Sequence, residues 1–283
     1  MSNERDGSAA GEMNGSPQVS ASTSSIPANI LECHQRFDSD VETPYFVSLP
    51  LEPRLFQIIR PQLDHLFRRY DYDGDAGIII LRMPSKIHDD FAFEFGLMLQ
   101  QRVDGILRKM PDAPRILNRQ ARQVKLWEHD RSKRGRECYP DGQFMDDRAY
   151  HPGLVFEVGY SQTGDCLEKI AKEYILGTGG DVTTVVCFDL KYNQGASFVS
   201  IWRASWNFAS KTVEPLCDPE PTMFQDSDGE MVNGDKLLKL GLTDMAEEKY
   251  SDDYPLTRIH IPFSQLSDIF DFAKVSSAKR KSP

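Results

Sequence analysis

Two acidic residues carry the chemistry this sequence offers most plainly, Asp141 in Tyr139-Pro140-Asp141-Gly142-Gln143-Phe144 and Glu157 in Leu154-Val155-Phe156-Glu157-Val158-Gly159. The Asp follows a Pro at the entry to a strand, and the Glu lies near the end of an apolar strand. Neighbouring strands would bring the two carboxylates to one place. A hard divalent ion, Mg²⁺ or Mn²⁺, takes oxygen ligands and keeps several waters, so two carboxylates, a backbone carbonyl and a phosphate oxygen are enough to hold it. Such an ion lowers the pKa of a bound water and neutralises charge growing on a phosphate. Glu94, between Phe91 and Phe95, is either an edge residue reaching water or a further acid for the same ion.

The elements that must position these groups can be read from the apolar spacing. Leu55, Phe56, Ile59, Leu63, Leu66 and Phe67 predict a helix over 53–70, and Gly77 to Leu81 a short buried strand after a turn at 72–76. A second helix spans about 88–109, with Ser85 as a cap, Asp89 and Asp90 in its first turn, and a face of Phe91, Phe95, Met98, Leu99, Val103 and Ile106. Strands are expected at 123–127, 143–145 and 154–159. A helix then runs from Asp165 to Leu176 and ends at Gly177-Thr178-Gly179-Gly180, and two strands follow at 183–190 and 197–203, joined through Asn193-Gln194-Gly195. Beyond Trp206 the reading is a short helical turn at 237–240, a strand at 258–261 and a helix over 263–275.

Helix, strands bearing Pro-Asp and then Glu, helix, strand is an order that resembles the PD-(D/E)XK nuclease superfamily, the restriction-endonuclease-like fold. The likeness covers about 83–206. It is closest in kind to fungal members, through a His-led first helix (Pro84-Ser85-Lys86-Ile87-His88) and the strand end Glu157-Val158-Gly159-Tyr160-Ser161-Gln162. It implies an α/β (α+β) class with a mixed central sheet flanked by helices in the order α-β-β-β-α-β, Asp141 and Glu157 as Mg²⁺ ligands, and a Lys two residues after the Glu that polarises the attacking water. That position is Gly159. Lys169 and Lys172 on the following helix, or Gln162, stand in as substitutes, and both an active nuclease on DNA or RNA and an inactive member that binds nucleic acid or protein follow from the resemblance.

Weaker motifs are set aside on their own residues. Asp71-Tyr72-Asp73-Gly74-Asp75 begins like a calcium loop, but Ala76 and Arg82 stand where Gly and Glu are needed, so it reads as a polar turn. Ser161, with Asp189 and His260 in hydrolase order, lacks the final Gly of a nucleophile elbow and an oxyanion segment, and is a remote serine-hydrolase alternative. Trp202 and Trp206 are read as core.

Composition frames these choices. A net charge of −10 opposes indiscriminate binding to nucleic acid, yet 102–136 holds eleven bases against four acids and leads straight into Pro140-Asp141. That segment is the candidate nucleic-acid surface, with a solvated helix face as the bland alternative. Cys33, Cys138, Cys166, Cys187 and Cys217 are odd in number and scattered, which predicts reduced thiols and no structural zinc. With no apolar run long enough for a membrane span and no secretory leader, an intracellular protein, cytoplasmic or nuclear, is expected. The organisation expected is a disordered tail over 1–42, one domain over 43–275 with decoration from 207, and a basic tail over 276–283. Oligomeric state is not legible.

Overall fold

The structure, a computed structural model, describes residues 25–38, 46–82, 84–110, 114–126, 135–160, 164–191, 195–207, 209–218 and 220–279. In chain order the elements are α1 (Ala28–Asp38), β1 (Phe46–Pro50), α2 (Pro53–Leu66), β2 (Tyr70–Asp73), β3 (Ile78–Arg82), α3 (Lys86–Leu107), β4 (Ile116–Asn118), β5 (Val124–Leu126), β6 (Arg136–Cys138), β7 (Gly142–Asp146), β8 (Leu154–Tyr160) and α4 (Gly164–Gly177). There follow β9 (Thr184–Leu190), β10 (Ser197–Asn207), β11 (Thr212–Cys217), β12 (Thr222–Gln225), β13 (Leu237–Gly241), β14 (Arg258–Pro262) and α5 (Phe263–Lys279), with 3-10 turns at Thr243–Met245 and Glu248–Asp253 before β14.

The larger sheet runs β11-β10-β9-β8-β7-β4, with β12 also on β10. It is mixed, since β8 lies antiparallel to β7 and parallel to β9. Successive residues of β8 serve opposite faces. Phe156 and Val158 pack with Phe91, Phe95 and Leu99 of α3, whereas Val155 packs with Leu167, Ala171 and Tyr174 of α4. Helices therefore cover both faces of this sheet, and α5 extends the α3 side through Phe270 against Phe91.

A second, five-stranded sheet, β1-β3-β2-β6-β5, carries α1 and α2 on its own core of Phe56, Ile59, Leu63, Tyr70 and Ile79. Its hairpin β2–β3 is the element that reaches the acids. Tyr70 pairs with Leu81 and Asp73 with Ile78, so Arg69 and Arg82 leave the same end of the hairpin, and the Arg82 amide donates to the Arg69 carbonyl at 3.3 Å.

Several expectations change. The strand expected at 123–127 does form, as Val124–Leu126, but in the smaller sheet against β6. The strand beside β7 is instead Ile116–Asn118. Residues 237–240 extend into β13 rather than coil, because Leu238 and Leu240 fall on one buried face opposite Ile261 and Ile259. Residues 28–38 form a helix that buries Ile30 completely, so ordered chain starts ahead of the boundary drawn at 42. At the other end α5 continues to Lys279, past the boundary at 275. All five cysteines are free thiols. Among the described residues no helix is long and apolar enough to cross a membrane.

Candidate functional site

Antiparallel pairing sets Gly142 against Phe156, and the register carries Asp141 to the side of Glu157. The Val158 amide donates to Asp141 Oδ2 at 2.5 Å, which pins the Asp to β8. The remaining valences of both acids are filled by the chain itself. Asp141 Oδ1 accepts from Arg69 Nη1, and Oδ2 lies 3.1 Å from His88 Nε2 in the first turn of α3. Glu157 Oε2 accepts from Arg82 Nη1 at 2.8 Å, and Oε1 from the Tyr174 hydroxyl of α4 at 2.9 Å. Arg82 also grips Asp71 Oδ2 through Nε at 3.1 Å and Nη2 at 2.8 Å, while Arg69 Nη2 reaches Asp89 Oδ1 at 3.1 Å. The Asp141 side chain is 0% exposed and that of Glu157 2%. No solvent reaches the pair.

Burial dominates the protonation of these groups. It pushes Asp141 upward, but the charges of His88 and Arg69 outweigh it and hold that carboxyl well below the usual range. Burial alone would lower His88, yet the Asp141 charge raises it above its ordinary value. Burial raises Glu157 to about 7 against the pull of Arg82, with the neighbouring Asp141 charge adding to the rise. Burial and the charge of Glu157 push the Tyr174 phenol well up, so it stays a donor.

Glu94, Lys169 and Lys172, also singled out by sequence, do not join this pair. Glu94 is half-buried on α3 and makes no hydrogen bond or ion pair among the described residues. The ammonium of Lys169 lies 4.0 Å from Glu173 on a side chain 78% exposed, and that of Lys172 lies 2.5 Å from Glu168 and over the Trp202 ring. Gln162 and Ser161 are outside the described residues, and Asp189 of the triad alternative is held by Lys191 at 2.8 Å. At Gly159 a Cβ would stand 2.8 Å from Leu167 Cδ1, so α4 packs where the side chain of a lysine would begin.

In this arrangement the residues do not fit a magnesium ion. All four oxygens of Asp141 and Glu157 accept from an arginine, a histidine, a tyrosine or an amide, and two guanidinium groups already supply the positive charge. Adding a divalent cation would set two like-charged groups against it in a buried site. Arg69, Arg82 and Asp71 are the functional neighbours the sequence reading missed. Their one local signal is a pair of arginines bracketing the stretch from Tyr70 to Leu81.

Asp141, through its backbone, and Gly142 also line a cleft of about 1120 Å³ between α3 and the 114–122 segment. Arg68, Arg108, Arg115, Arg119 and Arg122 line it, with Phe93 and Leu97 exposed on the α3 wall. Arg68 pairs with Asp89, whereas Arg108, Arg115, Arg119 and Arg122 have no carboxylate partner among the described residues. The segment that carries three of these is rigidly tied. Asn118 is pinned to α3 by Gln100 Oε1 on its amide at 2.9 Å, and Gln143 Nε2 donates to the carbonyls of Gln120, at 3.3 Å, and Arg122.

The basic stretch 102–136 thus divides. Arg102 instead binds the His260 carbonyl at 2.9 Å, Arg136 pairs with Glu173, and 127–134 lie outside the described residues. No family model matches the chain, and no curated protein does either.

Proposed function

We propose that this chain binds nucleic acid through its arginine-lined cleft, on a restriction-endonuclease-like core whose acid pair has become an internal ion-pair network. The observation that carries the reading is the set of four guanidinium groups, Arg108, Arg115, Arg119 and Arg122, without carboxylate partners among the described residues, in one cleft of an otherwise acidic protein. Guanidinium groups gathered in one cleft suit a run of phosphates. Exposed Phe93 beside them offers a face on which a base can stack. Support for the core comes from the order α3, β4, β7, β8, α4, β9, with the first three strands antiparallel in sequence, β9 parallel to β8, and helices on opposite faces.

Fluorescence anisotropy of labelled DNA and RNA oligonucleotides tests the reading. Each phosphate neutralised contributes about −0.9 to the slope of log affinity against log salt on duplex DNA, so four contacts give roughly −3 to −4. Arg119→Gln is expected to flatten that slope by about one. Affinity without salt dependence, or unchanged in Arg119→Gln, refutes it.

One observation favours hydrolysis as a second reading, namely that Asp141 lines the same cleft with its backbone, its carboxylate lying just beneath the surface. Strand scission that requires Mg²⁺ or Mn²⁺ and is lost in Asp141→Asn would establish it in place of passive binding.

A further inference from the structure

On another part of the larger sheet, three ligand-bearing side chains meet from separate stretches of chain. His151 precedes β8, Asp181 lies between α4 and β9, and Glu247 stands just before the second 3-10 turn, and their ligand atoms all fall within 4.8 Å of one another. His151 and Glu247 are buried, at 4% and 0% exposed, whereas the Asp181 side chain is 45% exposed and opens the group to solvent.

The hydrogen bonds around this group orient it. His151 Nε2 lies 3.1 Å from the Lys125 carbonyl, which can only accept, so that nitrogen carries the proton. Nδ1 is turned to Asp181 Oδ2 at 2.9 Å, another acceptor, and the contact is favourable only with a cation or a second proton between them. A ring nitrogen fixed by a backbone carbonyl, with the other aimed at carboxylates, is how metal-ligating histidines are held. Glu247 is oriented in the same manner, since its Oε1 accepts from the amides of Tyr150 and His151, each at 2.7 Å. Its other oxygen, Oε2, is buried without a hydrogen bond of good geometry. The ammonium of Lys249 stands 2.5 Å from it, on a side chain 58% exposed.

We propose that His151 Nδ1, the Asp181 carboxylate and Glu247 Oε2 bind one divalent transition-metal ion, with Lys249 as the competing cation. Imidazole nitrogen with two carboxylates favours Zn²⁺ over Mg²⁺ or Ca²⁺, and three protein ligands leave a fourth position for water on the open side at Asp181. The exchange balances in charge. Zn²⁺ enters against two carboxylates and the Nδ1 lone pair of an imidazole protonated on Nε2, and the Lys249 ammonium moves into solvent. The ion would tie the loop before β9 and the 3-10 turns of the C-terminal stretch to the start of β8.

Isothermal titration of Zn²⁺ into the chelator-stripped full chain tests this, with Asp181→Asn, His151→Gln and Lys249→Ala alongside and the fold of each checked by thermal melting in chelator. The expected result is one Zn²⁺ per chain, weakened roughly 10- to 100-fold or more by Asp181→Asn and by His151→Gln, and tightened by Lys249→Ala. Asp181 is half-exposed, so its variant isolates ligand loss from unfolding. No stoichiometric binding by the wild type, affinity unchanged in Asp181→Asn, or affinity unaffected by Lys249→Ala overturns the proposal.

Discussion

Arg82 joins acids that come from far apart in the chain, Asp71 in its own hairpin and Glu157 seventy-five residues on. Removing one member of a buried ion pair leaves a charge with neither water nor partner, at a cost of about 3–5 kcal/mol. Arg82→Met should therefore lower unfolding free energy by about that much in urea titrations. Combining it with Glu157→Gln should recover part of the loss, because one of the two stranded acids, Glu157 but not Asp71, is then gone.

The same residues fix the response to pH. Glu157 and His88 hold their protons more tightly folded than unfolded, so the stability they add is present at low pH and fades as pH rises, for Glu157 between its ordinary 4.5 and about 7. Asp141 acts the other way, since its stabilisation is present above its ordinary 3.8 and is lost as pH falls below it. The stability maximum is thus expected near pH 5. The Glu157 contribution to the decline toward pH 7 is on the order of 3 kcal/mol, and Glu157→Gln should remove it from a pH series of urea titrations. Asp141 and Glu157 were legible as residues because Pro-Asp and a Glu in an apolar run stand out. Their partners were not, because no local pattern links Arg69 to a residue 72 positions away or Arg82 to one 75 away.

Among the elements, the long helices were legible, whereas several short strands, Phe46–Pro50, Ile116–Asn118 and Leu237–Gly241, were not. The stripes of α2, α3 and α4 repeat over several turns and locate themselves. A three-residue strand has no period, so Ile116–Asn118 and Val124–Leu126 look alike in sequence. What places the first beside β7 is long-range bonding, with Asn118 donating from its side chain to the Gly96 carbonyl at 3.3 Å and its amide held by Gln100. That placement turns Arg115, Arg119 and Arg122 toward the cleft. Gln143 is the pin at its far end, so Gln143→Met should loosen 120–122 and weaken nucleic-acid binding several-fold while shifting the unfolding midpoint little. Anisotropy and thermal melting on the same preparation check both halves. The absent lysine is also an element-scale fact, because Leu167 of α4 fills the space over Gly159.

For the whole molecule, an N-terminal sheet lends two arginines to a site on the larger sheet, and charge is sorted rather than spread. The net charge is −10, yet one cleft gathers guanidiniums that acids do not answer. Sequence located the basic stretch but not its division, since Arg102 and Arg136 serve packing and only part of the run faces the cleft. The most direct measurement titrates a labelled oligonucleotide with the chain in EDTA and again in Mg²⁺ and in Mn²⁺, recording anisotropy and then strand length on a gel. Binding that needs no metal and is no stronger in Mg²⁺ or Mn²⁺ than in EDTA, with intact strands, is the result predicted for a cleft that works through arginines while its acids are held internally. Binding that appears only with metal, or strands cut in Mg²⁺ or Mn²⁺, would contradict it.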